Sequence, residues 1–166
     1  MHPHTDTINR FYTAFAGLDT TTMATCYADD VQFQDELFTL NGKHETMGMW
    51  NMLISATLNN PASKAAWHLE FSGVQADASS GQAHWDANYL FSATGRHVIN
   101  KIDAQFYFDE AGLIVRHHDR FNFWTWSSQA LGIPGLLLGW TPYLRAKVRA
   151  TANGNLQKFL AKNNPV

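Results

Sequence analysis

With 166 residues, 45% of them hydrophobic and only 16% charged, the chain is long enough for one domain with a substantial core and too apolar for disorder. A net charge of −2 argues against nucleic acid as a general partner, and the single Cys26 excludes an intrachain disulfide and any multi-cysteine metal site. No N-terminal stretch reads as a signal peptide and no apolar run is long enough to span a bilayer, so a soluble, cytoplasmic protein is expected.

The first predicted element is a helix capped by Thr5, with Ile8, Phe11, Tyr12 and Phe15 on one apolar face and Gly17 as its stop. Met23, Cys26 and Tyr27 fall at helical spacing and predict a short second helix. "DDVQFQDELF" then alternates Val31, Phe33, Asp35 and Leu37, which is strand-like except that an acid takes an apolar-face position. A third helix follows, with Met47, Trp50, Ile54 and Leu58 on its stripe. From residue 67 the period becomes two: Trp67, Leu69 and Phe71; Trp85, Ala87, Tyr89 and Phe91; Val98, Asn100, Ile102, Ala104, Phe106 and Phe108. "ATGR" and "DEAG" are turns between these strands, and "GLIVRHHDRFNFWTW" is the last strand. Thr141 and Pro142 start a C-terminal helix with Leu144, Val148, Ala152, Leu156, Phe159 and Leu160 on its apolar face. Helices followed by a meander of long strands predict an α+β domain, with helices on one face of a curved antiparallel sheet.

The last strand raises the chemical question. One parity holds Val115, His117, Asp119, Phe121 and Phe123; the other holds Ile114, Arg116, His118, Arg120 and Asn122. The mostly polar second set is expected outside, which turns His117 and Asp119 inward. The same logic places Asn100 and Asp35 inside. A buried carboxylate without a partner costs several kcal/mol, so Asp35 and Asp119 need partners or a wet cavity, and His117 is the natural partner of Asp119. The structural alternative is that His117 and Asp119 form a satisfied pair at the sheet end while Asp35 caps a turn.

Three stretches, "FYTAFAGLDTTTMATCYADDVQFQDELFTLNGK", "WDANYLFSATGRHVIN" and "FYFDEAGLIVRHHDRF", resemble the SnoaL-like, ketosteroid-isomerase-like branch of the nuclear transport factor 2-like superfamily. That resemblance implies a cone-shaped, cystatin-like fold: three N-terminal helices on a strongly bent antiparallel sheet, here with an added C-terminal helix. It also implies an apolar pocket between helices and sheet, and often a dimer through the outer sheet face, here Lys101, Gln105, Tyr107, Arg116 and His118. "YADDVQFQD" is similar to the isomerase stretch that ends in the general base, which places Asp35 in that role. Phe11, with Tyr12 beside it, and Ala104 stand where the isomerases carry their oxyanion donors, so authentic ketosteroid isomerisation is not expected. "HDRFN" resembles the limonene-epoxide-hydrolase-like segment and matches its acid with Asp119. The other two members of that set would fall near Trp85 and Ala87 and are absent. SnoaL-like cyclases also use an acid on this strand.

The chain divides into a pocket domain over 1–126 and an apolar lid with an amphipathic helix over 127–166. The expected activity is acid/base proton transfer on a small apolar substrate by Asp35, His117 and Asp119, of isomerase, cyclase, dehydratase or hydrolase type. Asn100, Tyr12, Trp50, Trp85, Tyr89 and Phe121 are the expected substrate contacts. The alternative is a non-catalytic binder of a hydrophobic ligand. No cofactor is expected. "HHD" offers two-thirds of an iron triad, but no histidine follows His118, so no metal is expected either. "LGIPGLLLGW" is expected to cover the pocket mouth, with Leu136, Leu137, Leu138 and Trp140 as the lid, rather than to touch a membrane.

Overall fold

The computed structural model describes residues 3–163. Residues 1, 2 and 164–166, the outer ends of the two expected segments, lie outside the described residues. Helix α1 (Pro3–Ala16) buries Ile8, Phe11, Tyr12 and Phe15, the face that the spacing predicts. It begins before Thr5, with proline in the first turn, where a missing N–H costs nothing. The helix stops at Gly17 as expected, and the left-handed residue that turns the chain away is Leu18, with a φ of 59°. Asp19 then caps α2 (Thr20–Ala24) by accepting from Thr22 N at 3.0 Å.

Tyr27 is not on that helix. It opens β1 (Tyr27–Gln34), and Met23, Cys26 and Tyr27 are all fully buried although the helix ends at Ala24. After β2 (Thr39–Asn41) come α3 (Lys43–Leu58), α4 (Pro61–Ala66), β3 (His68–Ala76), β4 (Ser80–Phe91), β5 (Arg96–Phe108) and β6 (Ile114–Arg120). The "NNP" stretch caps α4: Asn60 Oδ1 accepts from Ala62 N and Ser63 N. The sheet order is β2-β1-β6-β5-β4-β3. Every pairing is antiparallel except β1 with β6, which is parallel. The intervening helices and meander supply the long crossover that a parallel pair requires.

Register decides what meets what. Phe33 pairs with His117 and Gln34 with His118, so the residues one step further, Asp35 and Asp119, emerge at the same end of the sheet. Across the β5–β6 pairing, Ala104 faces Asp119 and Phe106 faces His117. A bulge corrects one parity assignment: Tyr107 pairs with Arg116 but Phe108 with Ile114, leaving Val115 as the extra residue. Ile114 is therefore fully buried and Val115 only half-buried, the reverse of the expected order. Beyond the bulge the alternation holds, with His117 and Asp119 in and Arg116 and Arg120 out.

The last strand also stops earlier than its pattern suggests. Asn122 accepts from Thr125 N at 3.0 Å and starts α5 (Phe123–Leu131), so position 126 falls inside a helix. Phe123, Trp126 and Ala130 pack with Val98 as a second apolar cluster. Helix α6 (Ile133–Leu138) is not a lid. Leu136, Leu137, Leu138 and Trp140 are 54%, 63%, 44% and 69% exposed, and none of them lines the cavity described below. The Pro-Gly start of α6 folds it back on α5 instead: Gly135 lies against the Ser127 backbone, and Trp124 Nε1 donates to Leu136 O at 2.9 Å. Helix α7 (Pro142–Asn163) seats Leu156 and Leu160 on Gly48 of α3. Its other end holds the β1–β2 turn: Arg145 pairs with Glu36 at 3.2 Å, Arg149 Nε donates to Glu36 O at 2.6 Å, and Asn153 Nδ2 donates to Leu37 O at 3.0 Å. Among the described residues no helix is long and apolar enough to cross a membrane.

Candidate active site

Between α1, α3, α4 and the inner sheet face lies a cavity of about 180 Å³, its far wall closed by α5. That is comparable to cavities that admit a single aromatic ring. Leu53 and Ser92 line it yet are exposed, which puts the mouth between α3 and the end of the β4–β5 hairpin. Trp50, Trp85, Tyr89, Asn100 and Phe121 all line it, as do the two acids Asp35 and Asp119.

Asp35 lies just past β1, not on it. Its Oδ1 accepts from Leu37 N and Phe38 N, both at 2.7 Å, and its own N–H donates to Phe38 O at 2.9 Å. The acid does cap a turn, as the structural alternative supposed, and the same turn delivers its other oxygen to the cavity. Burial pushes this carboxyl up to about 7. The two amides pull it back only in part, and the negative charges of Asp119 and Glu36 add to the rise.

Asp119 is 3% exposed. Its Oδ1 takes a hydrogen bond from His117 Nε2 at 2.9 Å and a long one from Trp85 Nε1 at 3.4 Å, while Oδ2 has no donor among the described residues. Each cavity acid thus has one oxygen fixed and one free.

His117 does not reach the cavity. It is 1% exposed and lies behind Asp119, with the rings of Phe106, Phe33 and Phe11 at 4.4, 5.1 and 5.5 Å. Its Nδ1 is 2.6 Å from the Tyr27 hydroxyl, which in turn accepts from Trp50 Nε1 at 3.1 Å. Proton bookkeeping favours one arrangement. Trp50 can only donate, so the single Tyr27 proton is left for His117 Nδ1, and the imidazole proton sits on Nε2, facing Asp119. His117 is therefore a positioning residue for Asp119 rather than an acid or base that touches a substrate.

Tyr12 is likewise not a substrate contact. It is fully buried between Phe71, Trp85 and Phe106, and its hydroxyl has no partner among the described residues. Burial pushes its phenol well above the usual value. Phe11 is plain core, and Ala104 faces Asp119 across the strand pair, so the carboxylate occupies the neighbouring strand.

Two groups escaped sequence reasoning. Tyr27, which ties Trp50 to His117, was hidden by its helical spacing from Met23. Trp126, the final residue of the expected strand but on α5 in the structure, donates Nε1 to the Tyr89 hydroxyl at 2.8 Å. With its oxygen so occupied, Tyr89 keeps its own O–H free to donate into the cavity. Burial, with the Asp35 charge nearby, raises the Tyr89 phenol to about 12. Among the described residues no three or more His, Cys, Asp or Glu side chains are placed to hold a metal ion.

The SnoaL-like domain family matches residues 8–117, which span every element from α1 to the middle of β6. This chain belongs to that SnoaL-like family. Solved structures agree on the fold. A suggested polyketide cyclase from Silicibacter sp. TM1040 is 22% identical, with a TM-score of 0.60 over 76% of this chain and 93% of its own. A hypothetical protein with a ketosteroid-isomerase-like fold from Catenulispora acidiphila, solved with trimethylamine, is 14% identical, with a TM-score of 0.60 over 82% and 97%. A cystatin-fold protein from Silicibacter pomeroyi, 13% identical with a TM-score of 0.55, covers 95% of this SnoaL-like chain and 85% of its own. No curated protein matches the sequence.

Proposed function

We propose that this SnoaL-like protein catalyses proton transfer at the carbon beside a carbonyl in a small, largely apolar substrate. One observation carries the reading: two carboxyls in an aromatic cavity each have one oxygen fixed by the protein and one free, with the Tyr89 hydroxyl and Asn100 on the same wall. Asp35 takes the proton on its free oxygen and returns it to the same or another carbon. A carboxyl lifted to about 7 is matched to both steps near neutral pH. The negative charge that develops on the carbonyl oxygen is met by the Tyr89 O–H and the Asn100 amide, which stand in for the donors missing at Phe11 and Ala104.

The test is hydrogen–deuterium exchange at enolisable positions of small ketones, neutral and cationic, followed by NMR in D2O. Exchange that is lost in Asp35→Asn and slowed at least tenfold or so in Tyr89→Phe supports the assignment. Exchange that survives Asp35→Asn overturns it. A non-catalytic binder is the second reading, favoured by the apolar residues at Phe11 and Ala104. It is the outcome if compounds bind and none exchanges.

A further inference from the structure

We propose that the cavity selects small organic cations, quaternary or protonated amines with apolar substituents. The first ground is charge. Among the described residues the only ionisable groups in the lining other than Tyr89 are Asp35 and Asp119, and no Lys, Arg or His side chain lines it. Among the described residues Asp119 has no Lys or Arg partner. Its partner His117 lies behind it, held between Asp119 and Tyr27 away from the cavity, and Arg120, next along the strand, is exposed on the outer face. At the Asp35 turn, Arg145 is engaged by the Glu36 carboxylate and Arg149 Nε by the Glu36 backbone oxygen, and neither lines the cavity. A carboxylate 3% exposed, with one free oxygen opening into a cavity, is costly unless something positive arrives to face it.

The second ground is the wall. Trp50, Trp67, Trp85, Trp126, Tyr89 and Phe121 surround the two acids. Aromatic faces carry negative electrostatic potential and attract an alkylammonium while still accepting its methyl groups. A neutral hydrocarbon would gain the apolar contact but not the charge term, and an anion would be repelled by both. This ligand class does not depend on whether Asp35 moves a proton.

The experiment compares three probes of one shape on the wild-type chain near pH 8: choline, its neutral isostere 3,3-dimethylbutanol, and the anion 3,3-dimethylbutanoate. Binding is read from tryptophan indole N–H shifts and by calorimetry. Choline is expected to bind at least about tenfold more tightly than the alcohol, and the anion more weakly than both. Asp119→Asn is expected to collapse the choline preference, and the three-probe ranking on the wild-type chain decides the matter should that variant not fold. Equal or tighter binding of the alcohol or the anion overturns the proposal, as does the absence of choline binding at millimolar concentration. Because no turnover is measured, charge selectivity and proton transfer fail separately: exchange can be absent while choline binds.

Discussion

Asp35→Asn is expected to stabilise the fold above pH 7 and to leave it unchanged near pH 4. Burial lifts the folded-state carboxyl from the usual 3.8 to about 7. Between those values the folded chain still holds a proton that the unfolded chain has released. Stability from this group is therefore greatest below the unfolded value, falls as pH rises through the window, and levels off above about 7. The fall is about 1.4 kcal/mol per pH unit, or about 4 kcal/mol in all as an upper bound. Asparagine keeps an acceptor oxygen for Leu37 N and Phe38 N but carries no charge to desolvate. Cavity water lessens the penalty, so a gain of about 2–4 kcal/mol is expected at about pH 8. Urea denaturation of both chains, repeated from about pH 4 to about pH 8, reads it directly. A variant that is no more stable than wild type at the alkaline end, or a difference that does not change with pH, would refute the argument. Asp35 would then be an ordinary ionised turn cap.

Tyr27→Phe removes the acceptor of Trp50 Nε1 and the donor to His117 Nδ1, two buried groups, so a loss of about 2–4 kcal/mol is expected in urea denaturation. An unchanged midpoint would show that the hydroxyl is not where the network needs it. His118, half-buried on the outer face and beside Arg120, is expected to titrate below the ordinary 6.5, because burial and then the guanidinium disfavour its charge. Histidine NMR should show that midpoint rising in Arg120→Gln, and a wild-type value above 6.5 contradicts the cause assigned. A dimer through Lys101, Gln105, Tyr107, Arg116 and His118 remains a proposal, with Tyr107, under the Arg116 guanidinium at 4.9 Å, near its centre. Sedimentation should give twice the chain mass for wild type and half of that for Tyr107→Glu. A wild-type monomer at micromolar concentration removes the dimer.

The sequence made legible whatever repeats with a period. The α1 face and the strict alternation along β4 and β5 place Trp85, Tyr89 and Asn100 on the inner wall because each side chain's direction follows from its neighbours. It could not reveal events that occur once. The extra residue at Val115 reverses the parity of Ile114, and no pattern in "GLIVR" announces it. Asn122 ends a strand by capping a helix, where the aromatic run "FNFWTW" reads equally well as more strand. His117 shares the parity of Asp119 but not its access, since depth behind another side chain is a tertiary matter. Tyr27 depends on two partners 23 and 90 residues away.

The family match ends at residue 117, yet the acid at Asp35 is steadied from well beyond it, by Arg145, Arg149 and Asn153 on α7. Trimming this chain at residue 117 would remove Asp119 with the end of β6, the α5 wall of the cavity, and the α7 side chains that hold the turn beside Asp35. The segment past the family match is thus part of the wall and floor of the cavity, not an appendage to it.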